Sequence, residues 1–139
     1  MALTIQRKSE TLTLRVSGRT KLAIELLAQK EGTTLSAIVM EAMEQPIKDG
    51  LTVFKEAPNG TQERVFLPDV IYDPLEPDRE VKLAVNAPEL LTDRQRVVWK
   101  VITEDRKYST KKGDPNISAI RGDWLKIQRT ADQLTKAHG

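Results

Sequence analysis

Thr11, Thr13 and Arg15 are the residues whose types and spacing carry the most chemistry in this chain. An arginine guanidinium can pair bidentately with a guanine edge. A threonine offers a hydroxyl to a base edge and a methyl to a thymine methyl. The three alternate with Leu12, Leu14 and Val16. Residues 10–16 are therefore expected to form a strand with one apolar face and one polar, basic face. A single strand is not stable alone, and no strand pattern lies nearby to pair with it. The simplest partner is the same segment from a second copy of the chain. The resulting two-stranded antiparallel ribbon would fit the major groove of double-stranded DNA.

Other chemistry is sparsely provided. The one histidine is His138, and there is no cysteine, so a thiolate metal site and a disulfide framework are both excluded. Asp69, Asp73, Glu76 and Asp78 are broken up by Pro74 and Pro77 and match no cation-binding loop. The glycines form no phosphate loop, and Ser9, Ser17, Ser36, Ser109 and Ser118 have no fitting base to activate them. The chain reads as a non-enzyme with no cofactor and no metal. No apolar run approaches 18 residues, so no membrane partner is expected. Residues 1–5 lack the apolar region of a signal peptide, which points to the cytoplasm. The acceptor patterns at Asn59 and Asn116 are discounted for the same reason.

The elements that must position the first motif are short. Ser17 is expected to cap a helix running from about residue 18 to 31, with Ala23, Ile24, Leu27 and Ala28 as its apolar stripe. Gly32 follows as a residue able to adopt the left-handed conformation that ends a helix. Thr33 or Thr34 opens a second helix with Leu35, Ile38, Val39, Ala42 and Met43 on one face, and Pro46 is expected to end it. The composition then changes, giving a division into a module at 1–48 and a domain at 49–139. Strands are expected at 51–55 and 64–67 around Asn59-Gly60, with an acidic loop over 69–78 and a third strand over 81–85. Helices are expected over 88–105 and about 117–136, separated by a basic loop at 106–116. The residues Ile117, Ile120, Trp124, Ile127, Ala131 and Leu134 form a heptad-like seam, read as core, as are Trp99 and Trp124.

Charge is distributed unevenly. Residues 1–22 carry five basic side chains and one acidic, a net +4. Residues 49–90 carry a net −5 and residues 91–139 a net +5. The two ends would attract a phosphate backbone and the middle would repel it.

The strand–helix–helix pattern of residues 10–46 resembles the ribbon–helix–helix family of DNA-binding proteins, the Arc and MetJ type of repressor. The resemblance rests on Thr11-x-Thr13-x-Arg15, Ser17, the apolar pattern of the first helix, Gly32, and Thr33-Thr34-Leu35-Ser36. It covers about a quarter of the chain. It implies an intertwined homodimer in which Thr11, Thr13 and Arg15 read bases. It places Thr34 and the amides near it on a backbone phosphate. Arg7, Lys8, Arg19, Thr33 and Ser36 become further phosphate candidates. Arg106, Lys107, Lys111 and Lys112 form a candidate secondary DNA contact. The expected fold is α+β, a ribbon–helix–helix followed by a small α+β domain with a β-hairpin and two helices. The expected role is sequence-specific transcriptional repression, with residues 49–139 serving a protein partner, higher-order assembly on DNA, or sensing. An accessory protein of a mobile element, acting in a relaxosome, partition or as an antitoxin, fits the same residues. So does a scaffold that dimerises without DNA; a neutral or blocked outer strand face would favour it.

Overall fold

A computed structural model describes residues 10–138. Among these residues the chain is mixed α+β and mostly helical, with seven α-helices and one two-stranded antiparallel sheet. It separates into two units, Met1–Leu51 and Thr52–Gly139.

The first unit has two long helices. Helix α1 spans Gly18–Glu31. Ser17 caps it, its Oγ accepting from the Thr20 amide at 3.1 Å. Gly32, at φ 67° and ψ 36°, ends it. The Thr33 amide then reaches back to the Ala28 carbonyl at 2.9 Å, closing the glycine-led C-terminal turn. Helix α2 spans Leu35–Leu51 and passes straight through Pro46, where the sequence placed its end. Proline removes the bond that residue 46 would donate to Ala42. Ala42 is exposed, so its carbonyl can turn to water. Two side-chain pairs straddle the proline: Lys48 Nζ donates to Glu44 at 2.8 Å, and Gln45 Nε2 donates to Asp49 at 2.7 Å.

Residues 10–17 form neither helix nor ladder. The expected strand at 10–16 is therefore absent from the single chain. The physical reason is that a strand is defined by its partner, and no described residue of the chain pairs with this segment.

The second unit opens with the expected hairpin. Strand β1, Thr52–Glu56, pairs with β2, Gln62–Phe66, in a register running from Thr52↔Phe66 to Glu56↔Gln62. The turn between them is five residues long and is held by Asn59 Oδ1, which accepts from the Thr61 amide at 3.1 Å. Gly60 supplies the positive φ of 82° that this turn needs. Beyond the hairpin, two expectations fail. The acidic stretch contains helix α3, Leu67–Ile71, and the start of helix α4, Glu76–Asn86. The supposed third strand at 81–85 lies inside α4. Its alternation is only five residues long, and Val81, Ala84 and Ala87, all buried, fit a helical period equally well. Glu76 and Asp78 in the first turn, with Pro77, favour a helix start.

Residues 88–90 form a single 3-10 turn, so the next helix begins later than expected, as α5, Asp93–Glu104. Thr92 and Gln95 make a reciprocal capping box there, with bonds of 3.2 and 2.8 Å. The last helical stretch is broken at Asp123 into α6, Ile117–Gly122, and α7, Trp124–His138. The second unit thus holds five α-helices where two were expected. Its core joins Val81, Val98, Ile102, Tyr108, Ile120, Ile127 and Ala131, with Trp99 and Trp124 packed against it. Burying each large aliphatic member is worth about 1.5–3 kcal/mol. An Arg94–Asp132 ion pair ties α5 to α7. No helix among the described residues is long and apolar enough to cross a membrane.

Candidate nucleic-acid interface

Thr11, Thr13 and Arg15 lie just ahead of α1, and all three are exposed. Arg15 makes no ion pair or hydrogen bond among the described residues. The alternate residues are also exposed: Leu12 at 72%, Leu14 at 55% and Val16 at 48%. The same holds through the helices of this unit. Leu22, Leu26, Met40 and Ile47 are all exposed, and among the described residues only Ala28 and Ile38 are buried. The apolar stripes are partly covered, with Ile24, Leu35, Val39 and Met43 half-buried beside Ala28 and Ile38, while Leu22, Leu26, Met40 and Ile47 stay open to solvent.

The remaining candidates sort by element. Arg7 and Lys8 lie outside the described residues. Arg19 stands exposed in the first turn of α1. A cation there is opposed by the helix dipole, so it gains nothing from the helix itself. Thr33 is exposed, and its amide is taken by the turn that ends α1. Thr34 caps α2, its Oγ1 accepting from the Ala37 amide at 3.1 Å. A hydroxyl that accepts in this way still has its proton to donate, and a phosphate oxygen is a fitting acceptor. Ser36 follows in the first turn of the same helix and is half-buried. Backbone N–H groups and the positive end of the helix dipole converge at that turn. Of Thr33 and Thr34, between which the sequence leaves the cap open, Thr34 fills it, and the cap leaves its hydroxyl able to serve an anion.

The four cations of the candidate secondary contact belong to the second unit and differ among themselves. Arg106 and Lys107 start a 3-10 turn, Arg106–Tyr108. Lys107 is engaged: its Nζ lies 2.5 Å from Asp123 Oδ2. The Tyr108 hydroxyl donates to that same oxygen at 2.9 Å. The Lys107 and Tyr108 bonds hold the Asp123 carboxyl below its usual range. Burial, with Asp123 beside it, pushes the Tyr108 hydroxyl up to about 12. Tyr108 is only 3% exposed, so it is a core residue and no stacking surface for a base. Lys111 and Lys112 are exposed on a tight turn, closed by a 2.7 Å bond from the Thr110 amide to the Asp114 carbonyl. Gly113 provides the positive φ of 88° there. The expected basic loop is thus an ordered turn on which Arg106, Lys111 and Lys112 are exposed without an ion pair among the described residues, while Lys107, also exposed, is paired with Asp123.

One polar arrangement in the second unit escaped the sequence. Asp78, at 6% exposure, is the buried charged residue of this chain's described part. Arg121 on α6 grips it with two prongs; the Nε bond measures 2.7 Å, and Nη2 meets the other oxygen. Arg121 holds the Asp78 carboxyl below its ordinary range against the opposing effect of burial. Asp73 is held by the Leu75 amide and by Lys82, both at 2.9 Å. Two of the three aspartates of the supposed acidic loop, Asp73 and Asp78, are thus engaged by cations of their own chain. No sequence signal links Asp78 to a residue 43 positions away.

Comparison with protein-family models, with curated proteins and with solved structures finds no match for this chain. Its function must be read from its own residues.

Proposed function

We propose that the chain is a homodimeric, sequence-specific DNA-binding protein of the cytoplasm, acting as a transcriptional repressor. In this reading residues 10–16 of two copies pair as an antiparallel ribbon, and Thr11, Thr13 and Arg15 face the major groove. One observation carries it: among the described residues the first unit has two buried apolar residues, Ala28 and Ile38, and a longer series of exposed ones. Leu12, Leu14 and Val16 lie in a segment that pairs with no strand among the described residues. A second copy of the same unit would supply what is missing, the same exposed apolar patch covering itself across a two-fold axis. Once Leu12, Leu14 and Val16 turn inward, the pleat turns Thr11, Thr13 and Arg15 outward together. The first turn of α2, with the exposed Thr34 as its cap, gives the phosphate contact that sets the ribbon in the groove.

The outer row is polar and basic and exposed among the described residues, which favours DNA over a scaffold that merely dimerises. The test is selection of duplexes from a random pool by the full chain, followed by Arg15→Ala. The expected outcome is an enriched site with two-fold symmetry, and a loss of roughly 1–3 kcal/mol on that site. An unenriched pool, or an Arg15→Ala protein with unchanged site preference, would refute the reading.

A further inference from the structure

Helix α7 buries one side only. Ile127 and Ala131 are 1% and 0% exposed and face the core of the second unit. The opposite side carries Lys126, Arg129, Gln133 and Lys136, all exposed. At 3.6 residues per turn these four fall within one arc of less than a quarter-turn, about opposite Ile127 and Ala131. No acidic side chain shares that arc. The acid within α7, Asp132, lies to its flank and is engaged by Arg94. Lys126 helps hold the nearby Asp123 carboxyl low, but the bonds of Asp123 go to Lys107 and Tyr108. Arg129 and Lys136 form no ion pair or side-chain hydrogen bond among the described residues, and neither does Lys126. By contrast Arg94, Arg96, Lys107 and Arg121 of the same unit are each paired with an aspartate.

We infer that the outer row of α7 is a sequence-independent contact for the phosphate backbone of duplex DNA. The inference deepens the DNA-binding reading by giving the second unit a share of the interface. The row from Lys126 to Lys136 is about 15 Å long at 1.5 Å per residue. A duplex carries a charge about every 1.7 Å of its axis, so such a row meets phosphates in any register. It offers no hydrogen-bonding pattern that could read a base. It also offers little to a membrane, because the apolar side of α7 is spent in the core and Leu125 is the one large apolar residue exposed beside the row.

The experiment uses the full chain with Lys126→Gln, Arg129→Gln and Lys136→Gln combined. These are exposed helix positions, and glutamine is as good a helix former as the residues replaced, so the fold is retained. Binding to a random-sequence duplex is followed by anisotropy against salt. Three lost phosphate contacts should lower the slope of log affinity against log salt by about 2.7. Between about 50 and 200 mM salt the variant should therefore lose about 40-fold less affinity than the parent protein. Arg15→Ala is run beside it. A reduced slope in the triple variant with site preference kept supports the inference. An unchanged slope, with Arg15→Ala still losing site preference, overturns the inference and leaves the DNA reading standing. A reduced slope with Arg15→Ala silent keeps the α7 contact and removes the ribbon. A protein that binds no duplex at any salt overturns both. Binding instead to anionic phospholipid vesicles or to polyglutamate, lost in the triple variant, would assign the row to another partner and overturn the inference.

Discussion

Leu14→Asp separates a dimer from a monomer by the size and the place of its effect. In the single chain Leu14 is 55% exposed. A substitution at such a surface position changes monomer stability by about 0.5 kcal/mol or less. In the paired ribbon Leu14 turns into the shared core, and an aspartate there is an unpaired buried charge. Leaving such a charge uncompensated costs about 3 kcal/mol. A two-fold dimer contains the substitution twice, so association should weaken by about 6 kcal/mol. At about 1.4 kcal/mol per factor of ten, the dimer Kd should rise about 10⁴-fold. Sedimentation velocity over a dilution series reads that change directly. Both tryptophans, Trp99 and Trp124, pack against the core of the second unit. Near-ultraviolet circular dichroism therefore reports whether that unit stays folded while the dimer dissociates. The reasoning is refuted if the unmodified chain sediments as a folded monomer at about 10 μM, a concentration at which a specific complex of micromolar Kd is largely assembled. An unchanged dimer in the Leu14→Asp protein would refute it equally.

Two further outcomes follow from the second unit. Arg121→Met leaves the Asp78 carboxylate buried without its partner and should destabilise the unit by about 2–4 kcal/mol at neutral pH, read as a fall in thermal midpoint. Because Arg121 holds the folded Asp78 below its ordinary value, the pair's contribution is present above about pH 4 and fades as pH falls through the folded value. The gap between parent and variant should therefore narrow in acid, and a gap that stays constant would count against the pair. Tyr108, pushed up to about 12, keeps its proton in the fold where an unfolded tyrosine would release it near 10. Stability should fall between those two values as pH rises. Ultraviolet titration should show one late-ionising tyrosine, and Tyr108→Phe should remove that part of the alkaline loss.

What was legible in the sequence was what the chain settles within a few residues. Ser17 and Gly32 bracket α1 because a cap and a left-handed turn are local chemistry. Asn59-Gly60 marked the hairpin for the same reason. Pro46 misled because its local rule was outweighed by two side-chain pairs spanning it, with Ala42, whose carbonyl it frees, exposed. Residues 81–85 misled because five residues fit a period of 2 and a period of 3.6 alike, and the burial of Val81 and Ala84 in α4 decided between them. Asp78 was read as part of a solvated loop because its partner, Arg121, lies on another helix far along the chain.

The strand at 10–16 is a different kind of case. Its alternation is clear, yet the single chain makes no ladder from it. Sequence pattern and monomer structure disagree there, and the disagreement has a direction. A misread strand would have its apolar residues packed in some other element. Here Leu12, Leu14 and Val16 are packed in none, and the helices behind them leave Leu22, Leu26, Met40 and Ile47 uncovered as well. Under the proposed dimer, such a segment, with the pattern of a strand and its apolar residues exposed, would find its cover in the second copy. On that argument the ribbon and the dimer stand or fall together, and Leu14 is the residue at which both can be tested at once.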